Sequence, residues 1–438
     1  MAELSDEREK SLAIHKAAWR LVPFLAILYF VSFLDRVNVG FAALTMNADI
    51  GLSASAFGSG AGIFFIGYIL FTVPANIMLQ RIGAARWMAV LTIFWGIVSL
   101  CNGFVHTPTQ FYLLRFLLGA AESGFFPGVI LYLSFWFPSD VRGRITGNFF
   151  AAVPLSNVFG APLSGWLLDH SALGLKGWQT MFLLEALPAI VLGVVALFWL
   201  TNTPAEAGWL SQHQRATLQA AVSADRAEHG HERVLDGLLI PLMWGVGLLY
   251  FLLVVGLYGF GFWVPQILGS VGHLSHQQIG WATAVPYGAA VMCMFLWARN
   301  SDATQERYWH IALPSLVGAI GFFSAGHAAT TATVLVGFSL AAVGIYAACP
   351  IVWTLPASVA NGAALASGIA LVNSVGNMAG YVGPMMMGWL RDRTGDYVAG
   401  IYVMTTSMIA ASVLALALKA CAHGGALSKL SRHTDTAT

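Results

Sequence analysis

Twelve stretches of about 20 predominantly apolar residues run through this chain, the length an α-helix needs to cross the hydrocarbon layer of a bilayer. They lie near 20–45, 56–79, 87–106, 110–136, 145–168, 180–200, 241–268, 278–298, 309–327, 331–355, 366–390 and 397–420. A membrane β-barrel would show shorter segments with strict alternation of apolar and polar residues, and runs such as Ala186–Leu200 have none. Only 9% of the 438 residues are charged, against roughly a quarter in a soluble domain. Too few charges remain to hold such a surface in water, so lipid is the expected solvent. The expected fold class is an all-α integral membrane protein with 12 transmembrane helices. A net charge of +1 gives no footing for nucleic acid.

Lysine and arginine gather on the cytoplasmic side of membrane proteins. With the N-terminus inside and twelve spans, cytoplasmic segments hold sixteen Lys/Arg and outer loops three, with Arg36 and Arg115 inside spans. Both termini are therefore expected in the cytoplasm. The MAELSDEREK terminus precedes an apolar stretch too long for a cleavable signal, so the first span is expected to stay as a helix. The polar segment Thr201–Leu239 divides the spans six and six. The expected organisation is a cytoplasmic N-terminal segment (1–18), an N-terminal six-helix bundle (19–200), a cytoplasmic linker (201–239), a C-terminal six-helix bundle (240–420) and a cytoplasmic tail (421–438). The halves echo each other: Asn157-x-x-Gly160-x-Pro162 in the fifth span and Asn377-x-x-Gly380-x-x-x-Pro384 in the eleventh. Parallel repeats of this kind hold their substrate at the midplane.

A charged side chain at the bilayer centre costs roughly 2.5–3.5 kcal/mol on insertion scales, and such residues mark functional sites by default. Asp35, Arg36, Arg115 and Glu122 lie well inside spans. Arg115 keeps its charge, and its planar fork suits bidentate capture of a carboxylate. Glu122, two helical turns away, shares its face with room between them for an anion. Buried carboxyls beside cations change protonation state readily, which makes Asp35 and Glu122 the candidate proton-coupling residues. Arg36 either binds substrate or neutralises Asp35. Glu185, early in the sixth span, reads as structural. Between Pro241 and Leu390 ionisable Asp, Glu, Lys and Arg occur only in the 8–9 loop, so the second bundle offers polar and aromatic contacts, led by Asn373, with Trp353 and Ser374 behind it. Four single cysteines and the pair His229 and His231 form no metal or disulfide pattern. No nucleophile–base arrangement is evident, so no enzyme and no cofactor are expected.

Two loops resemble the signature of the major facilitator superfamily: Gln80-Arg81-Ile82-Gly83-Ala84-Ala85-Arg86, and Arg299-Asn300-Ser301-Asp302-x-x-x-Glu306-Arg307. Gln80 stands where the superfamily usually has Asp. Phe33-Leu34-Asp35-Arg36-Val37-Asn38, the string Arg115–Gly128 and Gly368-Ile369-Ala370-Leu371-Val372-Asn373-Ser374 are similar to the anion:cation symporter family within it. The resemblance implies two six-helix bundles, gating roles for Arg81, Arg86, Asp302 and Arg307, and a substrate-side Tyr68. It also implies a proton-coupled symporter of a small organic anion, a tartrate- or phthalate-like dicarboxylate or aromatic acid. Such a protein would work by alternating access in the inner membrane, as a monomer driven by the proton gradient. A proton-coupled exporter or antiporter of a drug or metabolite is the alternative on the same fold. A membrane anion sensor is the alternative of another class.

Overall fold

The computed structural model describes residues 2–138, 141–142, 145, 149, 151–172, 174–228, 236–360 and 362–423. These residues are helical throughout the apolar stretches, and no strand occurs among them. The long helices are α1 (Ala2–Ile50), α2 (Ala54–Ile82), α3 (Ala84–Cys101), α4 (Pro108–Glu122), α5 (Phe125–Trp136), α6 (Ala152–Leu168) and α7 (Gly177–Trp199). After α8 (Gln212–Glu228) and the short α9 (Asp236–Leu239) come α10 (Pro241–Val271), α11 (His276–Thr304), α12 (Tyr308–Gly326), α13 (Thr331–Val352), α14 (Gly362–Thr394) and α15 (Val398–His423). His229, His231 and most of the tail lie outside the described residues.

Among the described residues ten helical segments are long and apolar enough to cross a membrane, with α4 and α5 counted as one. The sequence expectation of twelve exceeds this by α6 and α14. The described part of α6 has only 17 residues. α14 has 33 residues but carries Asn373, Ser374 and Asn377 in its middle, and these side chains lower its mean hydropathy.

The span expected near 110–136 is broken. α4 ends at Glu122, Ser123 and Gly124 form a turn, and α5 begins at Phe125. Pro127 explains the break: it has no N–H to donate to Ser123, and its ring crowds that carbonyl. Glu122 thus sits at a helix end in mid-span.

The chain divides into two compact units. One takes the described residues of 1–230 together with Gly261–Ala284, and the other those of 231–260 and 285–438. In the first unit α6 and α11 touch through their backbones. A Cβ on Gly165 would come within 2.5 Å of the His276 carbonyl oxygen, and one on Gly280 within 2.5 Å of that of Ala161. Asp169 Oδ1 lies 2.7 Å from His276 Nδ1 at the end of the same seam. Close packing by small residues is the usual way helices associate where lipid removes the hydrophobic driving force. In the second unit α12 and α13 pack along Gly318, Gly321, Gly337 and Gly344.

The repeat echo has a structural counterpart. Asn157 Nδ2 donates back to the Val153 carbonyl at 3.1 Å, and Asn377 Nδ2 to the Asn373 carbonyl at 2.9 Å. Each amide satisfies itself one turn back on its own helix.

Candidate functional site

Among the described residues the first unit buries five Asp, Glu or Arg side chains: Asp35 and Arg115 are fully buried, Glu122 and Glu185 are 1% exposed and Arg36 is 6% exposed. They come from three elements. Asp35 and Arg36 lie on α1, Arg115 and Glu122 on α4, and Glu185 on α7. Burying a charge costs several kcal/mol unless geometry and hydrogen bonds offset it, so each partner is informative.

Arg36 Nη2 lies 2.6 Å from Glu122 Oε2. The adjacent Asp35 is bonded instead by the Ser99 hydroxyl of α3, at 2.8 Å. The Ser32 hydroxyl donates to the same Glu122 oxygen at 3.0 Å. The neutralising role open to Arg36 in the sequence therefore falls on Glu122. The reason is helical geometry: neighbours in a helix point about 100° apart, so adjacency in sequence does not make a pair.

Arg115 is placed differently. Its strongest polar contact is a 3.4 Å bond from Nη2 to the Ala61 carbonyl of α2, while Nε and Nη1 have no hydrogen-bond partner. Its guanidinium carbon is 5.2 Å from the Phe64 ring centre and 6.0 Å from that of Phe262. Arg36 lies 4.8 Å from the same Phe64 ring, 4.5 Å from Phe33 and 5.6 Å from Tyr68. Two cations therefore share one phenyl ring, and Tyr68 stacks on that ring at 6.1 Å. Cation–π contact provides about 2 kcal/mol for a desolvated cation, too little to replace a full set of hydrogen bonds. Arg115 is a buried cation with donors to spare, closed to solvent in this state.

α2 and α4 are held together at this point by Gly119. A Cβ there would overlap the Phe64 carbonyl, so only glycine lets Phe64 sit beside Arg115.

The second-unit residues expected at the site lie on α13's end and α14. Asn373 is half-buried and accepts from Asn377 Nδ2 at 2.9 Å. Ser374 is exposed. Trp353 is half-buried and packs edge-on against Tyr250 at 4.8 Å. Tyr250 also fills the space that a side chain at Gly376 would need.

The loop residues lie at helix junctions. Arg81 and Arg86 are exposed near Gly83, whose φ is 97°. Asn202 bonds to the Ala85 N–H at 3.0 Å and caps that turn. Asp302 pairs with Arg307 at 2.6 Å. Glu306 receives Lys419 Nζ at 3.0 Å and the Trp309 N–H at 2.7 Å. Burial opposes the ionised form of Glu306, but bonds from Lys419, Trp309 and His310 outweigh it and hold the carboxyl below its ordinary value.

Phe64, Ser32, Ser99, Ser164 and Asn38 were not singled out in the sequence. One signal was available: Ser32, Asp35 and Asn38 recur every third residue along α1, which marks a polar stripe inside an apolar helix.

A buried cation with open donors thus lies among aromatic side chains and buried carboxyls inside apolar helices, where intramembrane ionisable residues mark a candidate functional site. The profile of the Major Facilitator Superfamily matches residues 25–384. The chain belongs to that superfamily, and is accordingly a multi-pass membrane transporter and not an enzyme. It is 49% identical over 408 residues to a protein of Agrobacterium vitis named "Putative tartrate transporter", covering 92% of this chain and 94% of that one. It is 36% identical over 405 residues to a "Quinolone resistance transporter" of Acinetobacter baumannii, covering 92% and 93%. Its fold is similar to that of the xylose transporter XylE from E. coli in a partially occluded inward-open conformation. That similarity has a TM-score of 0.73 and 16% identity over 91% of this chain and 97% of that one.

Proposed function

We propose that this protein carries a small organic anion, a dicarboxylate or aromatic acid, across the inner membrane together with protons, by alternating access. The observation that carries the reading is Arg115, a fully buried guanidinium whose Nε and Nη1 donors have no partner. A carboxylate is the ligand that supplies two acceptors in the plane of that fork. The tartrate-transporter name of the Agrobacterium relative agrees with a dicarboxylate.

Proton coupling follows from competition. Glu122 as a carboxylate occupies Arg36 at 2.6 Å. Once Glu122 takes a proton it no longer pairs as an anion with Arg36, and the guanidinium charge can attract a second carboxylate of the cargo. Asp35 is the second proton carrier of the reading. Asn373, Trp353 and Ser374 would contribute polar and aromatic contacts from the second unit, and Tyr68 from the first. Arg81, Arg86, Asp302 and Arg307 are proposed to act in the loops that gate the cycle, with both termini in the cytoplasm and the monomer as the working unit. The two six-helix bundles with boundaries at 19–200 and 240–420 are the proposed moving bodies, joined by linker 201–239 and flanked by the terminal segment 1–18 and the tail 421–438.

The test is uptake of L-tartrate and phthalate into proteoliposomes under an inward proton gradient. Glu122→Gln is expected to abolish accumulation while preserving exchange of internal for external anion. Arg115→Ala is expected to lose both, and to lose anion-induced thermal stabilisation. A Glu122→Gln protein that still concentrates the anion would defeat the proton assignment. The name of the Acinetobacter relative favours a second reading, export of an organic compound against protons. Opposite directions of proton movement on adding tartrate or a quinolone separate the two.

A further inference from the structure

Helix α1 brings a buried carboxyl into reach at every third residue. Ser32 bonds to Glu122, Asp35 is itself the second, and Asn38 faces Glu185. With a rise of 1.5 Å per residue, these levels are about 4.5 Å apart along the axis. The first two levels belong to the proposed function. The third has no assigned role.

Glu185 is held by one bond, from the Ser164 hydroxyl of α6 to Oε1 at 2.6 Å, and its Oε2 has no partner. Asn38 is fully buried, and its amide lies beside Glu185 without meeting ordinary hydrogen-bond geometry to it or to any other group. Asp35 Oδ2, one turn along the helix, is also open. An unsatisfied buried polar group costs about 1–3 kcal/mol. Four such atoms on three neighbouring side chains are more than a packing role for Glu185 explains. They match what a bridging water uses, about three hydrogen bonds to otherwise unsatisfied groups.

Among the described residues no cation pairs with Glu185. α6 has no ionisable side chain, and α3 has only Arg86 and Cys101, near its two ends. α1 contributes Asp35, on which Glu122, Glu185 and Arg115 all act, whereas the groups acting on Glu185 are Ser164 and Asn38. An intramembrane carboxyl without a counter-ion is neutral for at least part of the cycle.

We propose that Glu185 is a third proton-carrying carboxyl, exchanging its proton with Asp35 through water held by the Asn38 amide. The proton leaves the Glu185 carboxyl, crosses the bridging water and arrives on the Asp35 carboxylate. Only O–H bonds break and form, and each carboxyl alternates between neutral and charged. This relay deepens the proton-coupled reading above and rests on it.

The experiment is a pH titration of the full-length protein in lipid nanodiscs by difference infrared spectroscopy, which reads the C=O stretch of protonated carboxyls. Wild type, Asp35→Asn, Glu122→Gln and Glu185→Gln are compared, with thermal denaturation to check folding. Glu185→Gln is expected to remove one titrating band. Asn38→Leu is expected to shift the midpoint of the band that Asp35→Asn removes. Should Glu185→Gln fail to fold, Ser164→Ala keeps the carboxyl and is expected to shift the midpoint of its band. Asp35→Asn and Glu122→Gln each losing a band, with the Glu185 and Ser164 variants superimposable on wild type, would overturn the relay alone. Loss of no band in any variant would overturn the relay and the proton-coupled reading together.

Discussion

The two units solve the same solvent problem in opposite ways. Among its described residues the first buries five Asp, Glu or Arg side chains inside its helices. Among its described residues the second unit keeps Asp, Glu, Lys and Arg near helix ends, as where Asp302 pairs with Arg307 and Glu306 with Lys419. Its buried polar groups are neutral or local, such as Ser315 bonding back to Ile311 at 2.7 Å and Ser407 to Leu252 at 2.7 Å. α12 and α13 gain their contact from glycine packing. Among the described residues of the second unit no Asp, Glu, Lys or Arg is buried, so lipid tolerates helices packed without internal carboxylates or Lys/Arg cations. The charges of the first unit are therefore not a requirement of folding in a membrane. Under the proposed function the reason for keeping them is chemistry, with its need for a cation and for carboxyls that change state.

The contrast breaks most visibly at Arg36. Arg36→Ala leaves Glu122 buried without its 2.6 Å partner. A loss of about 3–5 kcal/mol is expected from breaking such a pair, read as a fall in the thermal midpoint in detergent at neutral pH. Adding Glu122→Gln should recover most of it, because a neutral amide needs no cation. A single variant as stable as wild type would mean the pair contributes nothing.

Gly119→Ala is next. Its Cβ would collide with the Phe64 backbone, and overpacking of this kind costs about 1–3 kcal/mol. The same push separates Phe64 from Arg115, so anion binding should weaken along with stability. Alanine at the half-buried Gly288, in the second unit, meets no atom within 4 Å and should be silent in the same two assays.

In the second unit, Asn373→Ala and Trp353→Phe are expected to raise the half-saturating anion concentration by a factor corresponding to about 1 kcal/mol, the worth of one neutral hydrogen bond. The pH dependence of uptake should not change. A variant that shifts the pH profile would move proton chemistry into this unit and erase the contrast.

The smallest effect is expected at Glu306. Its carboxyl is held below the ordinary value in the folded protein. The stabilisation is therefore present above the usual carboxylate range and is lost as pH falls through the folded value. Glu306→Gln should cost less than about 1 kcal/mol at neutral pH, as for partly exposed pairs, and should flatten the acid limb of a stability–pH curve.

Much of this architecture is legible in the chain of letters. Apolar windows mark where helices run, since hydropathy adds up over neighbours, and the break after Glu122 is written in Gly124 and Pro127. The midspan amides Asn373 and Asn377 of α14 dilute its hydropathy. The polar stripe Ser32–Asp35–Asn38 was visible in principle, but a spacing of three does not say which helix it faces.

By itself the sequence determined that the protein lives in lipid, roughly where its helices run, and that a handful of charges sit in the first half. Only the tertiary structure decided who meets whom. Arg36 passed over its neighbour Asp35 for Glu122, 86 residues away, Asp35 took Ser99, and Arg115 was left with open donors beside Phe64. The physical reason is range. Whether a segment prefers lipid is a local sum over its own side chains, whereas a pairing depends on how several helices rotate and pack, and no single window of sequence contains that.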